Sequence, residues 1–389
     1  MTIGTSNQTQ ISYIKEVTAG VTPANPAMKI LRMTGESLQG SNSTTVSDEI
    51  RSDRSIADLI LTDQSVAGDV MGELSGATYD DFFESALFAD QTWAASTVTA
   101  KTTIASTASG FTDSANGFIT GGLKVGSYYK VTGSTNPLNN RVYKVLTVLA
   151  GTITTYPAPN TVVAAGPSMS ILGSTIWNGV KDSSYSMQKT IKDATVPSYI
   201  NYKGVRIGTF KLDFSVGAIA KITFGLVGLT STPTETQISG LTEVAAGTTG
   251  VMNCVSNVTE IIARGAGVTT ALKFTDLSLS YDNKLRELKA IGTLGNVAVR
   301  AGTIEAKATL NPYFENIELL NSFVNNSSLE IAVYVTSADG YSYVFSFPAV
   351  KFLSQDLTAG GKDQDMIIKG ETQAILDPVS LSTIRISKF

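Results

Sequence analysis

Apolar and polar residues alternate in short runs along most of the chain, and Gly, Pro, Asn and Ser punctuate the runs. A period of two over four to eight residues, bounded in this way, marks a half-buried β-strand. On that basis residues 29–33, 34–38, 57–61 and 65–74 read as strands, and the uniformly polar 39–45 (QGSNSTT) reads as a loop. Two stretches follow another period. In 79–88 (YDDFFESALF) the apolar residues fall at 79, 82, 83, 86 and 87, which predicts a helix capped by Ser75 or Thr78. Residues 312–323 (PYFENIELLNSF) predict a second helix. Further strands are expected at 185–192, 204–214 and 218–228, and residues 271–389 are again strand-rich.

Between these regions the character changes. In 95–176 Thr, Ser, Gly and Val dominate, and strand candidates at 122–133, 141–148, 151–156 and 168–172 suggest a small β-barrel or sandwich. Residues 231–270 lack pattern, are rich in Thr, Gly and Ala, and read as a linker. Residues 1–27 carry turn signals. Pro23 and Pro26 lie too close together to sit inside a paired strand, so this segment reads as an arm extended along a surface, its own or a neighbour's.

The two strand-rich regions look like copies of one unit. Ala67-Gly68-x-Val70 resembles Ala301-Gly302-x-Ile304, a spacing of 234 (301 less 67), and Tyr79 with Tyr313 and Glu84 with Glu318 keep that spacing. Arg51 matches Arg286 after one gap. Past the helices, Tyr199–Tyr202 resembles Tyr343–Ser346 at a spacing of 144 (343 less 199), and Gly225 falls near Gly370. The spacing drops by about the length of 95–176, so that segment reads as an insertion in the first copy. A sheet with one helix on it leaves edges and a bare face, which pairing with another copy removes.

Composition then restricts the chemistry. Histidine is absent, so a Ser-His-Asp triad, a Cys-His dyad and a His-based zinc site are excluded. Cys254 is alone and has no disulfide partner. Charged residues make up 16%, against about a quarter in an ordinary soluble domain. The net charge of −4 gives no basic surface for gripping phosphate. The polar first 15 residues do not read as a signal peptide, and no apolar run is long enough to span a membrane. No catalytic, cofactor-binding or metal-ligating residue is assigned.

Several short motifs resemble one family. Glu16–Pro23 (EVTAGVTP), Leu31–Leu38 (LRMTGESL), Glu49–Arg54 (EIRSDR), Gly68-Asp69 and Tyr79–Glu84 (YDDFFE) are similar to the opening of major tail tube proteins of long non-contractile-tailed bacteriophages, the siphophages. Tyr281–Arg286 resembles the family's Asn-x-x-Arg turn, and Gly340–Tyr343, Phe347–Lys351 and Gly360–Asp365 are similar to its last strands. The resemblance implies a mainly β fold: β-sandwich or partial-barrel modules, each with a flanking α-helix, duplicated here, with an inserted small all-β domain. Residues 1–94 and 177–230 would form the first module, 95–176 an insert on the outer wall, 231–270 a long connection and 271–389 the second module. It further implies a structural virion protein, not an enzyme, assembled in the host bacterial cytoplasm. Six modules close a ring in the family, so two-module chains would form stacked trimers with pseudo-sixfold symmetry. Double-stranded DNA would pass through the lumen without specific binding. The implied partners are further copies of the chain, the tape measure protein, the tail terminator and the baseplate or tail tip proteins; a membrane is not among them.

Other readings stay open on the residues. Asp80, Asp81 and Glu84 on one helix, or Asp363 and Asp365 in a turn, are the carboxylates an enzyme would have to use. Trp93, Tyr128, Tyr129, Tyr143 and Tyr156 would stack on sugars if the insert bound a host surface. A baseplate hub or terminator ring would share the same module.

Overall fold

In the computed structural model the alternation becomes one long curved sheet. The first half of the chain supplies β1 (Thr9–Lys15), β2 (Gln39–Val46), β3 (Leu59–Glu73), α1 (Asp80–Ala86), β4 (Tyr185–Ile191), β5 (Ser198–Ser215), β6 (Lys221–Gly228) and β7 (Thr230–Thr234). The second supplies β8 (Val258–Arg264), β9 (Phe274–Asp282), β10 (Glu305–Pro312), α2 (Glu318–Val324), β11 (Leu329–Thr336), β12 (Ser342–Leu357), β13 (Ile368–Ala374) and β14 (Arg385–Lys388). Each strand of the second set stands seven numbers after its counterpart, and the antiparallel pairings repeat. Pairs β1–β4, β2–β3, β3–β6, β4–β5, β5–β6 and β5–β7 recur as β8–β11, β9–β10, β10–β13, β11–β12, β12–β13 and β12–β14. The pair β5–β9 joins the halves, which gives the order β2–β3–β6–β5–β9–β10–β13–β12. The fold is mainly β, as the alternation implied, and its pairing pattern occurs twice.

Bulges fix the residue register of the repeat. The β4–β5 ladder slips between Tyr185 and Met187, and the β11–β12 ladder between Leu329 and Ile331. Aligning these slips sets Tyr202 on Phe347 and Val205 on Val350, all four buried. The β5–β6 and β12–β13 slips agree, placing Thr209 on Ser354 and Gly225 on Glu371. Tyr199 thus answers to Val344, one residue beyond the match read in sequence. Gly68 answers to Ala308 rather than Gly302, through its pairing with Leu226. Tyr79 precedes α1 directly, whereas Tyr313 follows β10 directly, so they are not equivalent. Residue likeness misled here because the connections flanking the helices differ in length, and one residue of slip turns a side chain to the opposite face.

One hydrophobic core runs through both halves. Its hub is α1, whose Phe83 lies 5.7 Å from Phe210, 5.6 Å from Phe224, 6.1 Å from Tyr343 and 5.4 Å from Phe345. A second core gathers residues between Val98 and Ile171, among them Phe111, Phe118, Tyr143 and Ile153. Its strands include Ala95–Lys101, Gly110–Asp113, Tyr128–Thr132, Val142–Leu149, Thr152–Tyr156 and Met169–Trp177. This unit docks on the second half of the chain: Trp177 pairs with Arg385 of β14. Buried Glu330 accepts from the Tyr128 hydroxyl (2.8 Å), Lys144 Nζ (2.7 Å) and Arg264 Nη2 (2.8 Å).

Several local expectations are corrected. The polar run 39–45 is strand β2, held by main-chain pairing to β3 although its side chains are exposed. The expected strands 57–61 and 65–74 are one strand, β3. The N-terminal arm contains β1, which is seated on β4 with Ile11 fully buried. The 231–270 stretch holds a short strand, Thr242–Val244, which runs parallel to Ala27–Ile30, and β8, which pairs with β11. These contacts are remote in sequence, so no local period announces them. Pro312 ends β10, and the second helix starts only at Glu318, whose N–H is taken by Asn316 Oδ1 (2.9 Å). Ser75 and Thr78 bond each other through their hydroxyls (2.7 Å), and neither caps α1. The structure describes residues 4–265, 267, 268, 271–359 and 361–389. Residues 1–3 of the arm, 266, 269 and 270 of the linker stretch, and Gly360 of the closing motif lie outside them.

Candidate functional site, the polar face and edges of the long sheet

The eight-strand sheet buries one face and presents the other. On the buried side stand Phe224, Leu212, Leu279, Ala308 and Leu310. Between them, at every second position, Thr223, Lys211, Asp213, Ser278, Ser280, Lys307 and Thr309 face outward. The open face is therefore polar by strand period.

Several of its charges are paired in place. Lys211 Nζ lies 2.8 Å from Asp213. Lys284 reaches Asp282 (2.8 Å) and Glu305 (2.7 Å), and Lys307 reaches Glu305 (2.9 Å) and Glu371 (3.2 Å). Hydrogen bonds from Lys284 and then Lys307 bring the Glu305 carboxyl down to about 2. Lys284 is raised in turn by its bonds to Asp282 and then Glu305, and Lys307 by its bonds to Glu305 and then Glu371. Exposed pairs of this kind add little stability; their effect is to hold Lys211, Lys284 and Lys307 to carboxylates, while Lys221, Lys351 and Lys369 on the same face have no ion pair among the described residues. Sequence reading missed this ladder, although the alternation Glu305-Ala306-Lys307-Ala308-Thr309 carries its signal.

The two ends of the sheet differ. Strand β5 has β6 on one edge and β9 on the other over residues 209–213. Its counterpart β12 pairs with β13 through Leu357, but among the described residues no strand lies on its other edge beyond Val350. There Gln355 keeps Oε1 and Nε2 buried without a hydrogen bond. At the far end, the Leu38 N–H is held by the Glu36 carboxylate (3.0 Å) and its carbonyl by the Tyr202 hydroxyl (2.8 Å).

The other residues singled out in sequence serve as fasteners. Asp80 accepts from the Tyr343 hydroxyl (2.6 Å) and Lys388 Nζ (2.5 Å), Asp81 from Lys29 Nζ (2.5 Å), and Glu84 from Lys15 Nζ (3.0 Å). Asp363 and Asp365 are exposed in a turn and are not brought to them. Tyr128, Tyr129 and Tyr143 are buried, Tyr156 lies under the Arg264 guanidinium (3.5 Å), and Lys388 covers Trp93 (4.3 Å). These aromatics form no open platform. Among the described residues no group of three or more acidic or Cys side chains is placed to hold a metal ion, and no helix is long and apolar enough to cross a membrane.

No curated protein sequence matches the chain. The sequence model of the family described as phage tail tube protein matches residues 6–375. A match of that extent, on a duplicated, mainly β fold, shows that the chain belongs to the phage tail tube protein family, structural components of the bacteriophage virion.

Proposed function

We propose that this subunit closes head to tail into three-membered rings that stack into a tube for DNA. The unequal edges of the sheet carry the reading. The β5–β9 pairing inside the chain is half of a repeating contact; its counterpart joins β12 to residues 35–41 of the next copy. Carried along the repeat, Leu212 opposite Leu279 becomes Leu357 opposite Leu38, and Lys211 opposite Ser280 becomes Asp356 opposite Gln39. The seam lies where Gln355 lacks a partner. The six modules of the family plan then require three chains, each giving eight strands to a closed barrel without edges.

In that barrel the polar face lines the lumen. Phosphate is gripped by lysines free to displace its counterions. Lysines already held by carboxylates are poor at this, so DNA would slide. We further infer that 95–176 forms a unit inserted between residues 1–94 and 177–230 and decorates the outer wall, with 271–389 as the second module.

Electron microscopy of the assembled protein tests the ring. Threefold rings are expected, together with a disulfide between Gln39→Cys and Asp356→Cys that links three chains and no more. Sixfold or open assemblies, or absence of that link in intact tubes, would sink the reading.

A further inference from the structure

The β2–β3 connection and the β9–β10 connection are equivalent in the repeat and nearly equal in length. Ser41 answers to Asp282 and Ser65 to Glu305, so residues 42–64 answer to 283–304. Yet they fold differently. The later segment lies down on the first half of the chain. Lys289 pairs with Asp63, Asn296 Nδ2 donates to the Gly228 carbonyl (3.2 Å), and Leu285 covers Gly208. A small hairpin, Arg286–Leu288 against Ala298–Arg300, completes it. The earlier segment, beyond its base at Asp63 and Gln64, stands clear as a two-stranded ribbon. Ile50 is 99% exposed, Ile56 72% and Leu59 58%. A ribbon of two strands is marginal in water, and so many bare apolar side chains call for a cover.

What separates the two is a neighbour. The later segment has the first module's surface to rest on; among the described residues, 42–62 hydrogen-bond only within the ribbon. That surface recurs on the second module. Gly208, Gly228 and Leu229 answer to Leu353, Ala374 and Ile375. There the chain exposes Leu353 (53%), Ile375 (38%) and Leu376 (60%). The ribbon and this patch are thus two apolar surfaces, each bare, that the repeat would bring together between copies.

We propose that the 42–64 ribbon of one subunit packs on the second-module surface of the adjacent subunit in the same ring, with Ile56 beside Ile375. The contact rests on the ring reading above, and extends it from the sheet to a second site of adhesion. A contact between identical subunits in one ring is head to tail, so each subunit gives one ribbon and receives one.

The test uses the full chain with Cys254→Ser, carrying Ile56→Cys and Ile375→Cys, assembled and then oxidised. Covalent species that stop at three chains are expected. A ladder running past three chains means the ribbon joins separate rings and overturns the proposal. Intact rings with no link overturn it too, and folded subunits that neither assemble nor link count against it equally. The Gln39→Cys, Asp356→Cys pair run in parallel separates the two ideas: if that pair links and the ribbon pair does not, the ring stands and only the ribbon contact fails. As a second measure, Ile375→Ser with Leu376→Ser alters exposed positions only; it should leave the fold intact and raise the subunit concentration needed for assembly roughly tenfold. Unchanged assembly would contradict the contact.

Discussion

The two helices of the repeat differ more than any other matched pair. In α1 Phe82 and Phe83 are fully buried, and Phe83 touches rings from both halves of the chain. In α2 only Leu319 and Ser322 are buried; Phe323 reaches a single ring, Phe352, and Val324 is 78% exposed. The helix α1 lies where one module meets the next and leans on β12 of the following module. The helix α2 occupies the corresponding place in the second half, where among the described residues Phe352 is the one ring that Phe323 meets. Equivalent elements of the repeat thus carry unequal shares of the core, set by what each finds to pack against.

Phe83→Ala should destabilise the free subunit by about 3–5 kcal/mol, the usual cost of emptying a buried ring site, while Phe323→Ala should cost well under half of that. Urea denaturation of both variants checks it, and equal losses would remove the asymmetry. Glu330→Gln leaves Lys144 and Arg264 facing a neutral group at the point where the insert docks. Loss of a buried ionic partner costs about 3 kcal/mol, read as a lower denaturation midpoint, and the insert should come free to proteolysis first. Phe323→Ser with Val324→Ser should leave the subunit fold unchanged within about 1 kcal/mol yet weaken assembly, measured by sedimentation. An unaltered sedimentation profile would mean that α2 meets nothing.

The smallest effect concerns pH. Glu305 has a folded value of about 2, held down by hydrogen bonds from Lys284 and Lys307, against about 4.3 for an ordinary glutamate. A depressed carboxyl contributes fully above its unfolded value and loses that contribution as the pH falls through the folded one. The ladder on the polar face should therefore persist through pH 4 and dissolve only toward about 2. Titration of the Glu305 carboxyl by NMR in the free subunit follows this directly. A midpoint near the ordinary value would show the lysines free to meet phosphate.

Much of the fold is legible because its periods are local. The helix α1 declares itself in Phe82, Phe83, Ala86 and Leu87, and β6 in strict alternation from Lys221 to Gly228. Strand β2 is hidden for a physical reason: Gln39-Gly40-Ser41-Asn42 has no buried face in the chain, so nothing selects a period in its sequence. The repeat was legible as order, not as residue identity, because pairing and burial are what the two halves share. At Tyr202 and Phe347 the ring is kept and the hydroxyl is not. The ladder at Glu305 escaped notice since its partners Lys284 and Glu371 come from separate connections and strands.

The ribbon's chemistry also bears on how copies avoid the wrong embrace. Its apolar run Leu59-Ile60-Leu61 is bracketed by Asp58 and Asp63, and its tip adds Asp48, Glu49 and Asp53 against Arg51 and Arg54. Two ribbons meeting face to face would bring like charges together beside their greasiest residues, a flanking arrangement that discourages indiscriminate stacking. Symmetric dimers, which would be dead ends for self-assembly, are thereby disfavoured, and the encounters left are those in which unlike surfaces meet.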